Sequence, residues 1–251
     1  MMKKLLKKST LNKIQNFFSH LKYKTIGLDH KYKGVNTQDV FEKIYKEGIW
    51  GKNDKGESTS GPGSHEIEIV KPYINAASKL FKKLKISKVI DLGCGDFNIG
   101  EKLVSYCDHY VACDISKVIL ERNKKKFKLD NLNFLHLNLS KDVLPEGDLA
   151  TVRQVLQHLS NSEIKSFVEK INKKSPYKFL LITEQLPLKK SFIPNLDKPS
   201  GPKIRLGIDS GIILDQQPFN LKYISKKNIL EVNQENSRRD SVIVSTLYEL
   251  N

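Results

Sequence analysis

The chain has 251 residues, of which 39% are hydrophobic, enough for a core of one compact domain. It contains no run of about 18 apolar residues, which excludes a membrane-spanning helix of ordinary length. The formal charge of +15 suggests a nucleic-acid partner at first. However, nine lysines against the single Asp29 fall within residues 1–34, and only five of the 43 basic residues are arginine. Arginine is the residue that recognises phosphate and guanine by paired bonds, so the composition argues against nucleic acid. Cys94, Cys107 and Cys113 are odd in number and lack metal-ligand spacing, so a reducing, cytoplasmic compartment is expected and no metal.

In chain order, residues 1–22 place Leu5, Leu6, Leu11, Ile14, Phe17, Phe18 and Leu21 near helical spacing, with lysines on the other face. Such a helix suits an anionic membrane surface, a partner, or a face of its own domain. Residues 1–34 are therefore expected as a basic helical extension, and 35–251 as the main domain. A short helix with Phe41, Ile44 and Tyr45 comes next, then Trp50 and a loop rich in Gly and Ser. Residues 66–84 read as a helix. The chain then alternates strands at "SKVIDLG", "HYVACDIS", "LNFLHLNLS", "LATVRQV" and "FLLITEQL" with helices near 98–107, 117–127 and 161–174. A last strand, "DSVIVSTLYEL", is expected to run antiparallel to a neighbour near "LKYISK". This is an α/β pattern: a Rossmann-like, seven-stranded, mostly parallel sheet with helices on both faces. Residues 35–85 carry the N-terminal helices and a covering loop. Residues 187–220, rich in Pro and Gly, form an insertion on the substrate side.

"KVIDLGCGDFNIGEKL" ends a strand in an elbow with Gly93 and Gly95 two apart. The dinucleotide fingerprint needs a third glycine where Asn98 stands. Glycines here let a bulky ligand lie against bare backbone. Asp91 at the strand end can take a charged amino group or order water bound to it. Asp114 ends the next strand 23 residues later, where a carboxylate grips the two hydroxyls of a ribose. The elbow therefore suits a nucleoside without a pyrophosphate requirement.

With "VIDLGCGDFNIG", "VACDIS", "FLHLNLS" and "GDLATVRQVLQHLS" in this order over roughly 86–186, the chain resembles the class I S-adenosylmethionine-dependent methyltransferases. The resemblance implies that Gly93, Cys94 and Gly95, with Asp96 following, line the methionine part of the cofactor. It implies that Asp114 and Ile115 hold the ribose and adenine, and that Asn138 and Leu139 flank the adenine edge. "FEKIYKEGIWG" followed by "SGPGS" is similar to a subset encoded with bacterial capsule and surface-polysaccharide genes, in which this loop closes over the cofactor. Trp50 is either a core anchor or part of that cover. Ser60, Gly61, Gly63 and Ser64 offer N–H groups and hydroxyls to the cofactor's carboxylate, or form a surface loop.

No Asn/Asp-Pro-Pro-aromatic motif follows the fourth strand, which argues against methylation of a base amine. His158 is a candidate general base because its ordinary pKa is near neutral, or else a backbone cap. Arg153 suits a phosphate or phosphoramidate oxygen, or a salt bridge within the domain; it is also a candidate at the cofactor. Glu184, at the end of the fifth strand, either orients substrate or is solvated. Lys203, Arg205, Asp209 and Gln216 are candidate contacts on the insertion. The expected function is O-methylation of a small molecule, a nucleotide-linked sugar or phosphoramidate, in capsule synthesis. An RNA methyltransferase and a non-catalytic binding protein of the same fold are the alternatives.

Overall fold

The computed structural model describes residues 27–189, 191–234 and 240–250. The basic helix expected over residues 1–22 lies outside them. Seven strands form one sheet in the order β3-β2-β1-β4-β5-β7-β6. They are β1 (Lys88–Leu92), β2 (His109–Asp114), β3 (Leu132–His136), β4 (Leu149–Arg153), β5 (Phe179–Pro187), β6 (Ser225–Gln234) and β7 (Ser241–Glu249). The β1–β2, β2–β3, β1–β4 and β4–β5 pairs are parallel, and β7 is antiparallel to both β5 and β6. The expected Rossmann-like, mostly parallel sheet is therefore the fold.

Alternation along the strands divides the core in two. Ile90 and Leu92, Ala150 and Val152, and Leu180 and Ile182 join one apolar cluster; Val89, Leu149, Phe179 and Leu181 join the other. Helices α1 (Thr37–Glu47) and α4 (Asn161–Lys173) supply Phe41, Ile44, Ile164 and Phe167 to the first. Helices α2 (Ile67–Leu84) and α3 (Lys117–Lys126) supply Tyr73, Phe81, Ile119 and Leu120 to the second. Each face of the sheet is thus covered by two helices. The starts of α1, α3 and α4 are capped by side chains. The Asn36 oxygen accepts the Gln38 N–H, and Ser160 with Glu163 makes a capping box at α4.

Three expectations are corrected. The helix expected near 98–107 is replaced by two 3-10 turns, Gly100–Lys102 and Val104–Tyr106. Phe97, left-handed at φ 63°, drives its ring among Tyr110, Phe127 and Phe134. A Cβ on Gly100 would lie 2.2 Å from that ring, so the chain hugs it instead of coiling away as a regular helix. Second, the partner of β7 begins at Ser225, not around residue 221, and runs through polar residues to Gln234. As an exposed edge strand with Lys226 and Lys227, its hydrophobic alternation is weak. Third, the main domain begins before residue 35. Leu28, Asp29 and Tyr32 are buried, and Asp29 pairs with Lys198 at 3.2 Å, both side chains being 1% exposed. Among the described residues, no helix is long and apolar enough to cross a membrane.

Candidate active site

A cavity of about 380 Å³ opens at the carboxyl edge of the parallel strands, the usual ligand position in such sheets. Its floor is the elbow after β1. The Gly93 and Cys94 N–H groups both donate to the Cys113 carbonyl at 2.8 Å, tying the elbow to β2. Gly93, Cys94, Gly95, Asp114 and Ile115 line the cavity. The glycines have a reason beyond ligand approach. At φ +90°, a Cβ on Gly93 would sit 2.4 Å from Val155 Cγ2; at φ +55°, one on Gly95 would sit 2.2 Å from Ser60 Oγ. The elbow is packed from above by protein as well as left bare for a ligand.

Asp114 Oδ2 accepts the Gly95 N–H at 3.0 Å and Oδ1 accepts the Ser116 N–H at 2.9 Å. Burial, opposed by these bonds, pushes its pKa up to about 6. Each carboxylate oxygen retains a second acceptor site, which fits a vicinal diol. Asp91 is placed differently from expectation, because it does not line the cavity. Its oxygens accept from Thr151 Oγ1 and Tyr110 OH, both at 3.0 Å, and burial raises its pKa to about 6. Asp96 is likewise structural. It accepts the Ser60 N–H at 2.9 Å and contacts His65 Nε2 at 2.6 Å. Burial works to raise its pKa, but these bonds hold it below the usual carboxylate range. Asn138 and Leu139 line the cavity. The Asn138 amide oxygen accepts from Ser140 N, Ser140 Oγ and Lys141 N.

The loop before α2 forms one wall, with Trp50, Ser60, Gly61, Pro62, Gly63 and Ser64 all lining the cavity. Ser60 is fixed by Asp96 and by Tyr45 OH at 3.2 Å. Arg153 Nη2 donates to the Gly63 carbonyl at 2.5 Å and Nη1 to Ser64 Oγ at 3.4 Å, with the guanidinium over the Tyr73 ring. Arg153 thus reaches the cavity and holds this loop. The Gly63 Cβ position is filled by Gln154, whose Oε1 would be 2.0 Å away.

Gln154 is left-handed at φ 55°, turning the chain sharply off β4. A non-glycine residue in that region is strained, and such strain gathers at functional sites. Glu184 holds this turn and does not line the cavity. It is buried, its Oε1 accepts the Leu156 N–H at 3.0 Å, and its Oε2 accepts the Gln157 N–H at 3.1 Å. Burial lifts its pKa to about 8. The substrate or solvent role expected for it is therefore replaced by an internal one.

His158 lines the cavity, packed against Trp50 at a ring tilt of 50° with centroids 4.9 Å apart. Its Nδ1 donates to the Gly201 carbonyl at 3.2 Å. Burial, followed by nearby Lys198, pushes its pKa down to about 3. That burial favours the neutral ring, and through Gly201 the ring also holds the roof. That roof is residues 198–204, with Pro202 and Ile204 on the cavity and the Pro202 carbonyl accepting from Trp50 Nε1 at 3.1 Å. Trp50 is both core anchor and cover.

Arg205 is not a surface contact. It is 1% exposed and donates to the carbonyls of Leu196, Leu156, Gln157 and Leu159 and to Asn161 Oδ1. Lys203 donates its backbone N–H to Asp29 Oδ2, Asp209 ends a 3-10 turn at φ 51°, and Gln216 is exposed; none of the three lines the cavity. The sequence reading missed Thr37, Phe41, Tyr45, Gln154, Gln157, Gln185 and Ile243 as lining residues. The first three lie on the helical face read as core, and the glutamines carried no spacing signal. Among the described residues, no three His, Cys, Asp or Glu side chains gather as a metal site.

Residues 90–174 match a family model described as a methyltransferase domain. No curated protein matches the chain by sequence. Three solved structures are similar in fold. The N-methyltransferase NodS from Bradyrhizobium japonicum WM9, in complex with S-adenosyl-L-homocysteine, has a TM-score of 0.58 at 12% identity, covering 85% of this chain and 100% of that one. Magnesium protoporphyrin IX methyltransferase (ChlM) from Synechocystis PCC 6803, with the same compound bound, has a TM-score of 0.54 at 12% identity, covering 84% and 97%. The methyltransferase domain of bacterial CtHen1 has a TM-score of 0.51 at 15% identity, covering 71% and 97%. At these identities the likeness is one of fold. The residues that match the methyltransferase-domain model thus lie within a Rossmann-like sheet.

Proposed function

We propose that this chain is an O-methyltransferase acting on a small molecule. The methyl donor is S-adenosylmethionine, which supplies a methyl carbon activated by its sulfonium. The observation that carries the reading is the pairing of the bare elbow with Asp114, joined by the 3.0 Å bond from Gly95 N and both facing one cavity. The residues fit the cofactor: the Gly93–Gly95 backbone lines the cavity beside Asp114, which keeps acceptor sites for a diol. Two of the structural neighbours are complexes with S-adenosyl-L-homocysteine, which supports the same choice.

The protein's contribution is alignment. Asp114 orients the nucleoside, Arg153 keeps the Gly63–Ser64 wall closed, and Trp50 with His158 packs the roof that excludes water. With its pKa near 3, His158 positions that roof and is a poor proton acceptor. The finer reading, an activated sugar or a phosphoramidate built into a bacterial surface polysaccharide, is supported by the resemblance of "FEKIYKEGIWG" and the "SGPGS" that follows it. A cytoplasmic site of action accords with that reading. Calorimetry with S-adenosylhomocysteine tests the cofactor: micromolar binding is expected, and a folded protein that produces no binding heat would remove the proposal. Steeply salt-dependent RNA binding would instead favour an RNA acceptor.

A further inference from the structure

We infer that the acceptor's reacting part is an uncharged, hydroxyl-bearing ring, held by a row of side-chain amides along the sheet edge formed by the carboxyl ends of β4, β5 and β6 and the start of β7. This rests on the methyltransferase reading and narrows it to a substrate class. Register brings the amides together. Gln154 follows the Arg153–Thr183 pair and donates its N–H to the Thr183 carbonyl at 2.6 Å. Gln185 faces Ile243 across β5 and β7, and Gln234 faces Ser241 across β6 and β7. Gln185 Nε2 donates to Ser241 Oγ at 2.9 Å, linking the last two positions. Gln154, Gln157, Gln185 and Gln234 all line the cavity.

Gln157 is the most telling of the four. It is 4% exposed, and its Nε2 approaches the Gln154 carbonyl at 3.5 Å, which sets the amide's orientation. Its Oε1 then has no hydrogen-bond partner among the described residues. A buried acceptor without a donor is costly, and in a cavity wall a small turn of the amide lets a ligand hydroxyl satisfy it.

The charge of the cavity points the same way. Its lining includes the carboxylates of Glu66, Asp114 and Glu163. Arg153 is the one lysine or arginine among the described lining residues, and its guanidinium already serves Gly63 and Ser64. A phosphate or phosphoramidate anion would be stripped of water there beside three carboxylates, and the one cation of the described lining, Arg153, has only its Nε without a partner. A hydroxyl both donates and accepts, which matches an amide row. Of the two acceptors considered above, the sugar ring fits, with any charged portion lying outside.

The test uses the full chain, labelled S-adenosylmethionine, and a panel of methyl hexopyranosides set against the same sugars as 6-phosphates. The neutral glycosides are expected to be methylated with kcat/KM at least tenfold above their phosphates. Gln157→Leu and Gln185→Leu are each expected to raise the acceptor KM fivefold or more while S-adenosylhomocysteine affinity stays within twofold. Gln185 is half-buried at a strand end, so its variant serves where Gln157→Leu does not fold. Preference for the phosphates, an unmoved KM in both variants, or methylation of no neutral glycoside overturns the inference while leaving the cofactor reading intact. Failure of the unaltered chain to bind S-adenosylhomocysteine is a separate result that overturns both.

Discussion

The floor of the cavity and its roof hold their shapes by different means. The floor is main chain: a two-glycine elbow bonded to the Cys113 carbonyl and to Asp114, with the side chains of Val155 and Ser60 packed where a Cβ would stand. The roof is side chain: Arg205 gathers five oxygens, Lys198 meets Asp29, and Trp50 and His158 bond to residues 201 and 202. A roof built from long side chains can be remade for each acceptor without disturbing the sheet.

Substitutions sharpen that contrast. The largest effect is expected at Arg205→Met, which strands buried carbonyls and should lower unfolding free energy by about 3–5 kcal/mol in urea titrations. A loss below about 1 kcal/mol would show that the roof does not depend on it. Next comes Gly93→Val: the positive φ and the collision with Val155 should lower stability and weaken S-adenosylhomocysteine binding about a hundredfold or more by calorimetry.

Asp114→Asn should cost about tenfold in the same measurement, on the scale of one charge-assisted bond. Its pH dependence has a definite sign. With its pKa raised to about 6, affinity in the unaltered chain should fall by up to about tenfold per pH unit below that value and level off above about 7, and the Asn variant should be flat. Between 3.8 and about 6 the folded carboxyl holds a proton that the unfolded one has lost, so Asp114 lowers stability as pH rises through that window. The smallest effect is expected for Trp50→Phe, which removes the bond to the Pro202 carbonyl. About 1 kcal/mol of stability should be lost, together with a rise in acceptor KM.

The same division explains what the residues alone disclosed. Strand alternation, the glycine pair and an acid at the end of the second strand follow from local geometry, and each could be read from spacing. Asp91, Asp96 and Glu184 could not, because a carboxylate at a strand end looks alike whether it meets ligand, Thr151 or the Leu156 N–H. Only the packing of distant segments decides between them. His158 could not be placed for a related reason: its pKa depends on burial beneath a roof some 40 residues later in the chain. The helix expected after β1 failed because Phe97 packs inward at positive φ, which no periodicity reveals.

The burial of Asp29 has a practical corollary for trimming the lysine-rich leader. A cut placed after residue 30, where composition changes, would strip the counter-ion from Lys198 and leave an ammonium sealed among the carbonyls of His158 and Pro199. Shortened forms should therefore keep Leu28 onward, or a lost activity would be blamed on the leader when a sealed charge had collapsed the ceiling.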